Sequence, residues 1–194
     1  MPKLIFASHN THKAKEISSI LQGLFEVVTL NEIGFTEEII ESGSTLEENA
    51  AIKANAVYAA TQLNCFADDT GLLVAALDGA PGVHTARYAG PARDAEQNNN
   101  KLLLHMKDKE NREARFVSII HLIYEGKSYG FEGVLQGTIS ADPMGSEGFG
   151  YDPIFIPLGF DRTLAQMSLQ EKNSLSHRAI AFQKMLEFLK EKLA

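Results

Sequence analysis

A short apolar strand, Lys3-Leu4-Ile5-Phe6-Ala7, runs directly into the polar turn Ser8-His9-Asn10-Thr11-His12-Lys13. In open α/β sheets ligands gather at the carboxyl ends of strands, and the amides of a following helix N-terminus attract anions. A hydroxyl- and amide-bearing turn that closes on Lys13 therefore suits phosphate. An ordinary Asn-capped strand-to-helix turn with a solvated lysine has the same composition, so the turn alone leaves both readings open.

Interleaved strand and helix signals extend this start into a mixed α/β fold. Lys13 to Leu21 places Ile17, Ile20 and Leu21 on one helical face, and Phe25 to Leu30 reads as a strand. Thr45-x-x-Glu48 has capping-box spacing ahead of an alanine-rich helix that continues to Ala60. Cys65 to Ala67 reads as a short strand ending in Asp68-Asp69-Thr70-Gly71, with apolar residues returning from Leu72 to Leu77. Gly79 to Gly90 reads as a loop and Ala95 to Met106 as a helix. Phe116 to Tyr124, apolar on both faces apart from Ser118 and His121, predicts a central strand with Tyr129 to Ser140 as its hairpin partner. A loop from Gly145 to Pro153 and an amphipathic helix from Ile180 to Leu193 complete the chain.

Composition limits what such a fold can serve. The 194 residues are 44% hydrophobic, enough to bury a full core in one domain, two-lobed at most. Lys+Arg 18 against Asp+Glu 25 leaves a net charge of −7, which argues against nonspecific binding to nucleic acid or to an anionic membrane. Any phosphate contact must then be local. One cysteine, Cys65, excludes an intrachain disulfide and fits a reducing cytoplasm, and its apolar setting reads as core. No stretch reaches the length of a membrane span or has the form of a signal peptide, so a soluble, cytoplasmic protein is expected.

Three groups of residues carry chemistry. Asp68 and Asp69 leave a buried strand side by side; like charges repel unless a cation is present, and magnesium favours one or two carboxylates completed by substrate phosphate. The same Asp-Asp-Thr-Gly is also a common turn composition. Glu41 is a weaker candidate ahead of a helix start. Ser176-His177-Arg178 would put two cationic side chains on the first turn of the last helix, where they oppose the helix dipole and suit an anionic or carbonyl-bearing ligand, although a capping serine followed by two surface residues reads the same. Phe149-Gly150-Tyr151-Asp152-Pro153 joins aromatic faces that stack on bases to a carboxylate that accepts ring N–H groups. No Walker P-loop, dinucleotide fingerprint or HExxH helix is present.

In order and spacing, Ser8-His9-Asn10-x-x-Lys13, Glu41-x-Gly43-x-Thr45, Glu48-Asn49-Ala50, Lys53-Ala54, Ala67-Asp68-Asp69-Thr70-Gly71-Leu72, Gly79-x-Pro81-Gly82, Ala86-Arg87-Tyr88, Gly148-Phe149-Gly150-Tyr151-Asp152-Pro153 and Ser176-His177-Arg178 resemble the inosine triphosphate pyrophosphatase family of HAM1- and RdgB-like proteins. The resemblance spans nearly the whole chain. It implies a single pyrophosphatase domain over residues 1–194: a two-lobed α/β fold on a long twisted mixed sheet flanked by helices, with the active-site cleft between the lobes. It also implies a homodimer and Mg²⁺-dependent hydrolysis of ITP, dITP and XTP to the nucleoside monophosphate and pyrophosphate.

The resemblance further implies residue roles. Ser8, Asn10 and Lys13 would hold the triphosphate within a turn that includes His9, Thr11 and His12, while Lys53 and Lys172 add charge and Thr70 assists beside the metal. Glu41 and Asp69, with Asp68 nearby, would hold Mg²⁺, and Asp69 would also activate water. Phe149 would stack on the base within the Phe149-Gly150-Tyr151 segment, Asp152 would take its ring N–H, and His177 and Arg178 would donate to the 6-oxygen. An adenine amino group would leave those donors unpaired. Exclusion of GTP is assigned to no residue. His9 stands where small or polar residues are usual, and Thr70 replaces the commoner serine. Two other readings remain: a Maf-like pyrophosphatase acting on modified or pyrimidine nucleotides, and a noncatalytic nucleotide sensor, which has no need of paired aspartates.

Overall fold

The computed structural model describes residues 2–9, 13, 17 and 24–193. Strands β1 (Lys3–Phe6) and β2 (Glu26–Thr29) run parallel with Phe6 opposite Thr29, and β1 is also parallel to β3 (Cys65–Val74). Strands β4 (Glu113–Tyr124) and β5 (Lys127–Ile139) are joined by Glu125 and Gly126, whose φ values of 52° and 74° are those of a two-residue type I′ turn. Strand β6 (Phe155–Pro157) is antiparallel to β5. The six-stranded order β2-β1-β3-β4-β5-β6 is a mixed sheet, as an α/β reading requires.

Helices accompany it, α1 (Leu46–Thr61), α2 (Ala95–His105), α3 (Leu169–Leu175) and α4 (His177–Leu193) among the described residues. Thr45 caps α1 by accepting from the Glu48 amide at 3.1 Å, as the capping spacing predicts. The returning Glu48 carboxylate bonds the Ser44 amide rather than that of Thr45, one residue off the expected box. The helix predicted over Lys13 to Leu21 falls mostly outside the described residues, although Lys13 and Ile17 are helical.

The chain divides into two compact units, one of residues 1–69, 118–132 and 181–194, the other of 70–117 and 133–180. In the first, the period of two along a strand sorts the core onto opposite faces of the strands. Phe66 joins Phe6, Ile120 and Leu122 against Phe182 of α4, with the Phe6 and Phe66 rings stacked at 4.9 Å. Cys65 and Ala67 join Ile5 and Ile123 against Ala54 and Val57 of α1. In the second unit Leu72, Val74, Phe116, Ile139 and Phe155 pack on Leu102 of α2 and on Met106, which caps its C-terminus. Each fully buried Leu, Ile, Val, Phe or Met among these contributes about 1.5–3 kcal/mol of transfer free energy.

One expectation is corrected. Asp68-Asp69-Thr70-Gly71 is not the turn that ends a short strand, because the ten-residue β3 runs straight through it. Turn propensity is overridden here by partners that neutralise both carboxylates in an extended backbone.

Candidate active site

Continuity of β3 settles where the paired aspartates point. Neighbouring residues on a strand face opposite ways, so Asp68 follows Phe66 and Asp69 follows Ala67. Asp68, only 2% exposed, accepts a hydrogen bond from Lys13 Nζ at 2.7 Å. Asp69 accepts from Lys53 Nζ at 3.2 Å, on the face covered by α1. The same Lys53 ammonium lies 3.4 Å from Glu41 Oε1. Two carboxylates thus share one cation, and each aspartate has its own lysine.

Electrostatics follow from that sharing. Burial pushes the Asp69 carboxyl above its ordinary range, Lys53 opposes the shift and Glu41 adds to it. For Lys53, burial disfavours the charged form, but Asp69, Asp68 and Glu41 together outweigh it and raise the pKa. A carboxylate with a raised pKa is a better proton acceptor near neutral pH than an exposed one.

Asn49 was not singled out by sequence reasoning for any role. Its Oδ1 accepts from the Gly43 amide at 2.8 Å, tying the Glu41–Thr45 segment to α1. The available signal was one amide among the small residues that α1 turns inward: Asn49, Ala50 and Ala54 are all buried. His9 meets Asn31 across 3.1 Å, Nδ1 to Oδ1. This links the segments that follow the paired ends of β1 and β2, so His9 has a structural partner. Asn10, Thr11 and His12 lie outside the described residues, while Ser8 lies two residues past the end of β1.

The second unit assembles the aromatic and cationic candidates. Phe149 is 63% exposed, with Lys172 Nζ 4.5 Å and Arg178 Cζ 5.8 Å from its ring centroid. Asp152, 4% exposed, accepts from the Phe149 amide at 2.8 Å and from Lys172 Nζ, both bonds falling on Oδ2. Lys172 therefore sits with the aromatic set. Ser176 caps α4 by accepting from the Ala179 amide at 3.1 Å, which places His177 and Arg178 on the first turn as expected. The His177 ring is buried and stacks on Phe116 at 4.9 Å. Tyr151 turns into the core, and its hydroxyl donates to the Thr85 carbonyl at 2.9 Å; burial, then the nearby Tyr88, push its pKa up. Thr70 follows Asp69 on β3 and is half-buried.

Among the described residues no three His, Cys, Asp or Glu side chains converge as a metal-holding group. Glu41 and Asp69, both drawn to Lys53, form a two-carboxylate oxygen set, and Asp68 is drawn to Lys13. Two carboxylates completed by substrate phosphate and water are donors that suit Mg²⁺.

The fold is that of an α/β protein with a carboxylate–lysine cluster in one unit and an exposed aromatic ring flanked by two cations in the other. Residues 4–188 match the model of the Ham1 family, and the chain belongs to that family. It is 49% identical over 190 residues to a dITP/XTP pyrophosphatase of Porphyromonas gingivalis, covering 97% of this chain and 98% of the relative. To the dITP/XTP pyrophosphatase of Christiangramia forsetii it is 46% identical over 187 residues, covering 96% and 98%. The solved Ham1 protein of Staphylococcus aureus superposes with a TM-score of 0.93 at 36% identity, over 98% of this chain and 99% of that one. These matches do not favour the Maf-like reading. Among the described residues no helix is long and apolar enough to cross a membrane.

Proposed function

We propose that the chain is a nucleoside triphosphate pyrophosphatase that hydrolyses dITP, XTP and ITP to the nucleoside monophosphate and pyrophosphate. The observation that carries this reading is the pair of adjacent aspartates on β3, each matched to a different lysine and one of them to Glu41 as well. A noncatalytic sensor gains nothing from that arrangement. The P. gingivalis and C. forsetii relatives are named dITP/XTP pyrophosphatases, which supports the same reaction on dITP and XTP.

In this reading Asp69 accepts a proton from the water that attacks the α-phosphorus, and the bond to the β-phosphate bridging oxygen breaks to release pyrophosphate. Lys13 and Lys53 neutralise phosphate charge, and Ser8, with Asn10 of the same turn, donates to the phosphate oxygens. Glu41 and Asp69 would hold Mg²⁺, which when bound supplies further charge neutralisation to a reaction governed by positioning and electrostatics. Phe149 stacks on the base, and the second oxygen of Asp152 accepts a ring N–H. His177 and Arg178 donate to the 6-oxygen, a contact that a 6-amino purine cannot accept.

The test is pyrophosphate release with Mg²⁺ from dITP, XTP, ITP, ATP, GTP, dTTP and UTP. Release from the first three in preference to ATP is expected; none from those three overturns the reading. The family resemblance also supports a homodimer and the single cysteine a cytoplasmic setting. Sedimentation at monomer mass rejects the dimer.

A further inference from the structure

Helix α2 carries Asn98 and Asn99 within a run of three asparagines, and both are buried, although such a run is usually solvated. Successive residues on a helix point about 100° apart, so the two amides reach different segments. Asn98 satisfies both its ends on one segment: Oδ1 accepts from the Ala89 amide at 2.6 Å and Nδ2 donates to the Ala86 carbonyl at 3.1 Å. Asn99 donates from Nδ2 to the Gly150 carbonyl at 3.0 Å, while its Oδ1 is buried without a hydrogen-bond partner among the described residues. A half-satisfied buried amide is a poor choice for stability alone, because an apolar side chain would leave no orphaned acceptor. What Asn99 provides is the bond to Gly150.

Gly150 is the second residue of the turn Phe149 to Asp152, closed by the Asp152 amide donating to the Phe149 carbonyl at 3.3 Å. A φ of 64° at Gly150 and φ, ψ of −92° and 9° at Tyr151 fit a type II′ turn. A Cβ at residue 150 would meet nothing within 4 Å, so glycine is needed there for its backbone angle and not for space. It is also the most deformable link of the turn. Fixed groups surround it: the Phe149 amide on Asp152, the Tyr151 hydroxyl on Thr85, and the Gly150 carbonyl on Asn99. The exposed Phe149 ring stands among these anchors.

We infer that Asn99 is a positioning residue for the nucleobase: its amide holds the Gly150 carbonyl and so fixes the turn that presents Phe149 beside Lys172 and Arg178. The inference rests on the proposed stacking of the base on Phe149, and it extends the base-reading set to helix α2.

The chain has no tryptophan, so Phe149→Trp supplies a single fluorescent reporter in the full-length protein. In F149W, dITP quenches the indole. Adding Asn99→Leu lowers the anisotropy of the unliganded reporter and weakens dITP binding about tenfold, an effect in keeping with small misplacement of a contact group. On the otherwise native protein Asn99→Leu raises KM for dITP about tenfold with kcat within about twofold, the pattern of lost binding rather than lost chemistry. Asn98→Leu, which releases the other segment, leaves the reporter anisotropy unchanged. Asn99→Ala serves if the leucine variant does not fold. Anisotropy and dITP titration unmoved by both Asn99 variants, or moved equally by Asn98→Leu, overturn the inference. Absence of quenching in F149W with Asn99 intact overturns the stacking reading instead, and the anisotropy comparison still reports whether Asn99 holds the turn.

Discussion

Lys53 on α1 donates to Asp69 on β3 across 3.2 Å while standing 3.4 Å from Glu41, so one ammonium holds two carboxylates together. Lys53→Met leaves those two facing each other in a partly buried site. The folded-state pKa of Asp69, already raised by burial, rises further, so the folded protein keeps a proton that the unfolded chain has lost. Stability then falls as pH rises through the interval above the ordinary carboxylate value. The variant should lose about 3 kcal/mol at pH 8, typical of a broken buried pair, and clearly less at pH 5. Urea denaturation at the two pH values decides it; an equal loss at both removes the shared-cation account.

Asp69→Asn keeps the size of the side chain and removes the proton acceptor. Turnover of dITP should fall about 10²- to 10⁴-fold, the usual contribution of a general base, with nucleotide affinity changed only a few-fold. Single-turnover kinetics with calorimetric titration separate the two. Near-normal turnover takes Asp69 out of the base role.

Much of this was legible in the sequence because it rests on local pattern. Alternating strand and helix signals gave the mixed sheet, and Ser176 gave the start of α4. The misreading of Asp68-Asp69-Thr70-Gly71 as a turn is a case of propensity losing to tertiary charge pairing: Lys13 is 55 residues from Asp68 and Lys53 is 16 from Asp69. His9 looked anomalous because its partner, Asn31, is 22 residues away and is brought near only by the parallel pairing of β1 and β2. Tyr151 read as a ligand contact since its neighbours do, yet the turn around Gly150 sends its ring inward. Asn99 carried no signal at all; a polar run on a helix looks solvated until the turn it grips is known.

Arg178 stands 5.8 Å from the Phe149 ring centroid on the first turn of α4, where it opposes the helix dipole. If it donates to a 6-oxygen, Arg178→Ala should lower kcat/KM for dITP about 10²-fold and leave the weak activity on ATP almost unchanged, because loss of a built hydrogen bond penalises only the substrate that used it. Steady-state rates on both nucleotides test this. An unchanged dITP:ATP ratio means the base is read elsewhere.

Gly137 lies opposite Pro157 in the pairing of β5 with β6, and a Cβ there would overlap the Ile156 carbonyl oxygen and come within 2.6 Å of Phe155 Cζ. The obstruction is backbone and cannot rotate away. Gly137→Ala should therefore cost about 1–3 kcal/mol, as overpacking does. Gly130→Ala in the same strand meets nothing within 4 Å and should be neutral or slightly stabilising. Denaturation midpoints of the two variants make the comparison; similar midpoints would show that β6 yields to the added methyl.

Cys65 is fully buried under α1 and donates from Sγ to the Ala54 carbonyl at 3.3 Å. Burial pushes its pKa from about 9 up to about 12. The thiolate is the reactive form, so a thiol-disulfide reagent at pH 8 should modify the native protein only as fast as the structure opens, and the urea-unfolded chain at once. The same shift sets a sign for stability. Between pH 9 and 12 the unfolded thiol has ionised while the folded one retains its proton, so folding stability contributed by Cys65 is lost as pH rises through that interval. Cys65→Ala, although less stable near neutrality through the small cavity it leaves, should show a shallower alkaline decline. Rapid modification of the native protein, or parallel alkaline declines for both proteins, would place the thiol in contact with solvent and against the packing of α1 on β3.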